Sequence, residues 1–291
     1  MNIYINQTYG EERALYGISD AKIRSCSFEG VEDGESALKE CRRVSITDTS
    51  FRLRYPLWHA EDAVVTNSTF AETCRAGMWY TKHLTMENCR IYGVKALREA
   101  DETKLARCEI ISSEFGWKCR GIELRDTKLE TEYLFLDSER IYIENLDFKG
   151  KYSFQYVKDI HIKNSNLDTK DAFWHAENVT VEDSVVSGQY LGWYSKNLRL
   201  VRCRISGTQP LCYCEGLVLE DCTMEGCDLS FEKSDVRASV KGEIMSIKNP
   251  ASGIITADSV GEVIFDKFGH PEAVEIKIMN HEQEIYHAQK E

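Results

Sequence analysis

The sequence predicts an all-β fold, a right-handed parallel β-helix solenoid of about eleven coils, and three observations carry that prediction. A column of compact residues recurs every 19 positions along most of the chain. Apolar residues bracket it at strand spacing, and the residue just before it is a type that tolerates a bend.

The compact column reads Cys89, Cys108, Thr127, Leu146, Ser165, Ser184, Cys203 and Cys222, each 19 residues after the last. Backward it continues through Ser68, Thr49 and Cys26, with insertions near residues 71–80 and 29–38 absorbing the mismatch. Two positions earlier stand Ile46, Val65, Met86, Leu105, Leu124, Ile143, Ile162, Val181, Leu200 and Leu219. Two positions later stand Phe28, Phe51, Phe70, Ile91, Ile110, Leu129, Phe148, Leu167, Val186, Ile205 and Met224. Period-2 alternation in such short pieces is strand behaviour, and stacked coils ~4.8 Å apart would line these side chains up as interior ladders. The bend position holds Asp48, Asn67, Asn88, Arg107, Asp126, Asn145, Asn164, Asp183, Arg202 and Asp221, mostly residues that bond their own backbone in turns.

Residues 1–20 are expected to cap one end, residues 21–240 to form the helix and residues 241–291 to form a C-terminal β cap, in one domain overall. The register fails after Val236, where Asn249-Pro250, Gly253 and Gly261 interrupt alternating strands. A leucine-rich repeat needs a helical return with its own leucine pattern, which Ser206-Gly-Thr-Gln-Pro210-Leu-Cys-Tyr-Cys214 does not supply. Hexapeptide and pentapeptide helices need coil lengths that are multiples of six or five.

The net charge of −12 and a pI near 5.2 point away from nucleic acid and anionic membrane surfaces as partners. The first residues, Met1-Asn2-Ile3-Tyr4-Ile5-Asn6, show no basic stretch leading into an apolar run, so a cytoplasmic protein is expected. Eleven cysteines, an odd count, then favour reduced thiols. No residue pattern asks for a cofactor, and the oligomeric state is not set.

Four further stretches carry a resemblance: Trp193-Tyr194-Ser195-Lys196-Asn197-Leu198, Gly207-Thr208-Gln209-Pro210-Leu211-Cys212-Tyr213-Cys214, Lys248-Asn249-Pro250-Ala251-Ser252-Gly253 and Thr256-Ala257-Asp258-Ser259-Val260-Gly261-Glu262. Over nearly its whole length the chain resembles a bacterial family of unknown function among the pectin-lyase-like β-helices. The resemblance implies the right-handed β-helix and brings no established catalytic residues. A hydrogenase label that members have received finds no support, because a nickel-iron site wants paired Cys-x-x-Cys motifs and only Cys212-Tyr213-Cys214 is present.

Eight cysteines fall in columns that admit only compact side chains: Cys26, Cys89, Cys108, Cys203 and Cys222 in the first, Cys41, Cys119 and Cys214 in a second. These read as buried structural thiols. Cys74, Cys212 and Cys227 lie outside the columns, and Cys212, Cys214 and Cys227 form a weak metal-site alternative; no metal is expected.

All five tryptophans share one column, Trp58, Trp79, Trp117, Trp174 and Trp193, together with Lys39, Arg98 and Gln155. The next column holds His59, Tyr80, Glu99, Lys118, Asp137, Tyr156, His175, Tyr194, Tyr213 and Glu232. Strict alternation turns the tryptophans inward; a bulge beside them turns Leu57, Met78, Phe135, Phe154 and Phe173 inward and the tryptophans outward. The sequence leaves both open.

If the row faces out, it suits an extended ligand such as a saccharide, with Trp117, Tyr156, Trp174, His175, Trp193, Tyr194 and Tyr213 as binding residues. The leading reading is a non-catalytic binding or scaffold solenoid. The alternative is a carbohydrate-active lyase or hydrolase with Lys118, Asp137 and His175 as acid–base groups, though a glycosidase wants two flanking carboxyls and this column offers one acid mid-row. The third reading is a structural or self-associating protein with its aromatics in the core.

Overall fold

The computed structural model describes residues 2–30, 35–279 and 284–285. The chain divides into two compact units, Met1–Lys149 and Gly150–Glu291, each a parallel β-solenoid.

In the first unit the strands Asn2–Ile5, Ser19–Arg24, Arg42–Thr47, Glu61–Thr66, Thr85–Glu87, Asp101–Ala106 and Arg120–Thr131 stack in parallel. Their register aligns Ile23, Ile46, Val65, Met86, Leu105 and Leu124, all buried. On the next wall Tyr9, Phe28, Phe51 and Phe70 stack face to face with ring centroids 5.2, 5.0 and 4.6 Å apart. Each such pair is worth about 0.5–1.5 kcal/mol beyond its buried area. The insertion expected at 71–80 is a turn in which the Cys74 N–H donates to the Ala71 carbonyl. The insertion at 29–38 lies partly outside the described residues.

The second unit repeats the plan with Lys158–Lys163, Glu177–Glu182, Lys196–Val201 and Leu217–Glu225. Here Ile162, Val181, Leu200, Leu219, Ala238, Ile255 and Ile276 align as the inner ladder.

Both segments expected as caps are part of the parallel ladder. Asn2–Ile5 pairs with Ser19–Arg24, and Asp235–Lys248, Ser252–Ile264 and Val274–Ile278 continue the stack to a final antiparallel strand, Glu284–Ile285. The described residues therefore make about 14 turns, against the eleven that the repeat counts. The later turns escape the 19-residue rule because the ladder slips at Leu219/Cys222 and again at Val240/Glu243. Hydrogen bonding between coils fixes only which residues pair, so a turn of different length still stacks.

The compact column has a hydrogen-bonding reason as well as a steric one. Thr49, Ser68, Thr127, Ser165 and Ser184 each donate from the hydroxyl to the carbonyl two residues back. The same oxygen accepts the backbone N–H of the preceding coil in Thr49–Ser68, Cys108–Thr127 and Ser165–Ser184. A hydroxyl at this corner thus serves a backbone donor that the bend removes from the ladder and adds a second bond to a carbonyl already paired with the preceding coil. The preceding residue takes the left-handed conformation, with φ between 48° and 54° at Asp48, Asn67, Asn88, Arg107 and Asp126. Asn and Asp accept that conformation most readily.

Candidate functional site

The tryptophans face outward and lie half-buried on the surface, while Leu57, Met78, Phe135, Phe154 and Phe173 fill the interior. The reading that places the tryptophans in the core is corrected. In the second unit the cause is a pair of left-handed residues flanking the column, such as Phe173 (φ 61°) and His175 (φ 53°) around Trp174. Two such residues abolish the simple alternation that strand reasoning assumes.

Four of the five half-buried indoles are tied to the next coil. The Nε1–H donates to the Ala76 carbonyl from Trp58 and to the Lys95 carbonyl from Trp79, both at 2.6 Å. Trp174 reaches the Tyr190 carbonyl at 2.6 Å and Trp193 the Gln209 carbonyl at 2.8 Å. Gln155, in the same column, donates from Nε2 to the Asp171 carbonyl at 3.0 Å. Every one of these acceptors belongs to a left-handed residue, with φ of 50°, 56°, 56°, 47° and 53° respectively. The column therefore selects an N–H donor of the right reach. Gln155 among the tryptophans is the sequence signal for that role.

Within the second unit the predicted ligand-binding residues come together as two adjoining stacks. Trp174 and Trp193 lie parallel, with centroids 5.5 Å apart. Outside them Tyr156, His175, Tyr194 and Tyr213 form a continuous pile at 4.9, 5.1 and 4.8 Å, with interplanar angles of 11°, 8° and 16°. Stacking along the coil axis spends the ring faces on one another, so edges and polar tips meet solvent. Among the described residues the His175 imidazole and the Tyr156 and Tyr194 hydroxyls make no hydrogen bond to the protein. At the end of the pile, burial pushes the Tyr213 phenol above its ordinary pKa, helped by the charge of Glu232.

Within the first unit Trp117 and Lys118 sit on one coil and Asp137 on the next. Lys118 and Asp137 are exposed, and among the described residues no ion pair joins them. His175, the third proposed acid–base group, is enclosed by two tyrosine rings and has no carboxylate partner among the described residues. Trp117 differs from its column mates in that its buried Nε1 finds no partner among the described residues.

The three cysteines of the alternative metal site are buried neutral thiols. Cys212 donates towards the Gln209 carbonyl, Cys214 towards Gly192 and Cys227 towards Ile205. Burial pushes Cys212 and Cys227 up to about 12 and Cys214 to about 11, away from the thiolate a metal would need. Among the described residues no three His, Cys, Asp or Glu side chains gather as a metal site, and no helix is long and apolar enough to cross a membrane.

Sequence reasoning missed a groove of about 530 Å³ in the first unit, running over the compact residues Cys89, Cys108 and Thr127. Its walls are the bend residues on one side and the residues just after the compact column on the other, positions that read singly as solvated corners.

PfbA, a surface adhesin of Streptococcus pneumoniae, is similar at a TM-score of 0.52 and 9% identity over 92% of this chain and 85% of that one, which shows a right-handed parallel β-helix fold. A tailspike protein of E. coli bacteriophage HK620 in complex with a pentasaccharide is similar at 0.40 and 12% identity, over 89% of this chain and 62% of that one. An exopolygalacturonase from Thermotoga maritima is similar at 0.35 and 8% identity, over 96% and 82%. No curated protein matches the sequence. A family model described as "Protein of unknown function (DUF3737)" matches residues 2–278.

Proposed function

The chain belongs to the DUF3737 family of unknown function, and we propose from its own geometry that it is a non-catalytic binding solenoid for an extended, hydroxyl-rich ligand of the saccharide class. The observation that carries this reading is the pile of Tyr156, His175, Tyr194 and Tyr213. It presents phenol and imidazole tips once per coil, and those of Tyr156, His175 and Tyr194 are not consumed by the protein. Hydroxyls and imidazoles donate and accept, as sugar hydroxyls do. Recognition runs through ring edges, since each inner ring has both faces covered.

The same tips explain why binding is favoured over turnover. His175 is held between rings that fix its plane, and its neighbours in the pile are phenols. The eleven free cysteines, all buried, support a reducing, cytoplasmic setting as part of this reading.

The test is calorimetric titration of the full chain with neutral oligosaccharides, repeated on His175→Ala and Tyr194→Phe. Saturable binding that weakens about tenfold in each variant, as loss of one or two hydrogen bonds predicts, supports the reading. Binding unchanged in both variants, or no binding to any member of the panel, overturns it.

A further inference from the structure

The groove in the first unit is built by contrast of side-chain length. Its floor is Cys89, Cys108 and Thr127, each at most 4% exposed. Long side chains rise on either side because the chain places one before and one after each compact residue. From Asn88 to Asn145 the groove crosses four coils, about 14 Å at the spacing of stacked strands.

Its lining is electrically balanced in a molecule that is not. Arg107 and Asp126 on the bend wall and Arg90, Glu109, Lys128 and Asp147 on the other carry three positive and three negative charges, so the charges cancel locally, whereas the chain carries −12. An anion entering meets the three carboxylates and the field of the whole chain; a cation meets the three bases. Hydrogen-bonding capacity nevertheless remains on both sides. The Lys128 ammonium is in no ion pair among the described residues. Asp126 accepts one bond from the Asn145 amide at 2.8 Å and keeps a second oxygen. Arg107 donates Nε–H to Asn88 at 3.1 Å and a further N–H to Glu87, leaving others of its five donors.

We propose that this groove is a separate binding site for an uncharged oligosaccharide, held by Asp126 as acceptor and by Lys128 and Arg107 as donors. A ligand whose groups each donate and accept, and which carries no net charge, matches a mixed and balanced lining. The proposal shares its ligand class with the Tyr156–Tyr213 pile but rests on different residues, so substitutions tell the two apart.

The experiment is calorimetric titration of the full chain with cellohexaose, maltohexaose and the anionic hexagalacturonate, in parallel on Asp126→Ala/Lys128→Ala and on His175→Ala/Tyr194→Phe. Asp126 and Lys128 are exposed, so the first variant should fold; alanine at the left-handed Asp126 (φ 48°) lowers its melting temperature modestly, which a thermal scan reads apart from affinity. The expected result is a neutral hexaose that binds the parent, loses at least tenfold in affinity at one site in the groove variant, and keeps that site in the pile variant. Unchanged binding in the groove variant with loss in the pile variant overturns the groove and leaves the pile. Failure of both neutral hexaoses to bind the parent overturns both. Tighter binding of hexagalacturonate, lost in the groove variant, overturns the uncharged assignment.

Discussion

The tryptophan column is built differently in the two units. In the first, cations are interleaved with rings: Lys39 lies 6.0 Å from the Trp58 centroid, Trp58 stacks on Trp79 at 5.6 Å, and Arg98 sits between Trp79 and Trp117 at 5.1 and 5.6 Å. In the second the column is uncharged, with Gln155 followed by the Trp174–Trp193 stack, and the neighbouring column is aromatic throughout from Tyr156 to Tyr213. One backbone position thus accepts a cation, an amide or an indole. What it demands is a flat or donor-bearing group that covers the coil below and, where a left-handed carbonyl is in reach, bonds it.

Removing a whole ring breaks this comparison most strongly. Trp174→Ala loses the stack on Trp193 and the bond to the Tyr190 carbonyl, and it should cost about 3 kcal/mol in urea unfolding. A loss under about 1 kcal/mol would show that the column is decoration and not a coupling between coils.

The interleaved cation is the next test. Arg98→Gln installs the second unit's solution in the first, and it should cost about 1 kcal/mol as the two cation–ring contacts go. If stability does not fall, Arg98 contributes no more than an amide does at Gln155.

The indole N–H sharpens the comparison within one residue type. Trp174→Phe should destabilise by about 1 kcal/mol, while Trp117→Phe, which removes a buried donor without a partner, should be neutral or stabilising by up to about 1 kcal/mol. The reason lies in the coil ahead. At Tyr133, where the acceptor would fall, the chain is the strand Tyr133–Leu134, and the Tyr133 carbonyl already accepts from the Thr131 hydroxyl. Equal losses for the two variants would remove the left-handed acceptor from the explanation.

The smallest effect concerns pH. The Tyr213 phenol is raised in the folded chain by burial, then by Glu232, so the folded state holds the proton more tightly than the unfolded one. The corresponding stability is present below the unfolded value near 10 and is lost as the pH rises through the folded value. Tyr213→Phe should therefore flatten the alkaline limb of a stability–pH curve above about pH 10. An unchanged limb would show that Tyr213 is solvated like a free phenol.

Much of this was legible in advance because it repeats. A compact residue with a bend-tolerant neighbour, carried from Cys26 to Cys222, announces the coil, since a solenoid must offer each rung the same floor and corner. The turns at Asn2–Ile5 and after Val236 were not legible as coils, because pairing between strands tolerates loops of changed length and the period disappears with them. The members of the Tyr156, His175, Tyr194 and Tyr213 pile could be named from spacing, but their ring orientation could not.

By itself the sequence determined the fold class, the inner ladders and which residues share a column, because a constant repeat turns position along the chain into position in space. Only the tertiary structure decided that the tryptophans turn outward, that stacked rings leave edges and not faces to a ligand, and that two columns of ordinary corner residues enclose a balanced groove. These depend on left-handed backbone steps and on side-chain contacts between coils, which no single coil of the sequence contains.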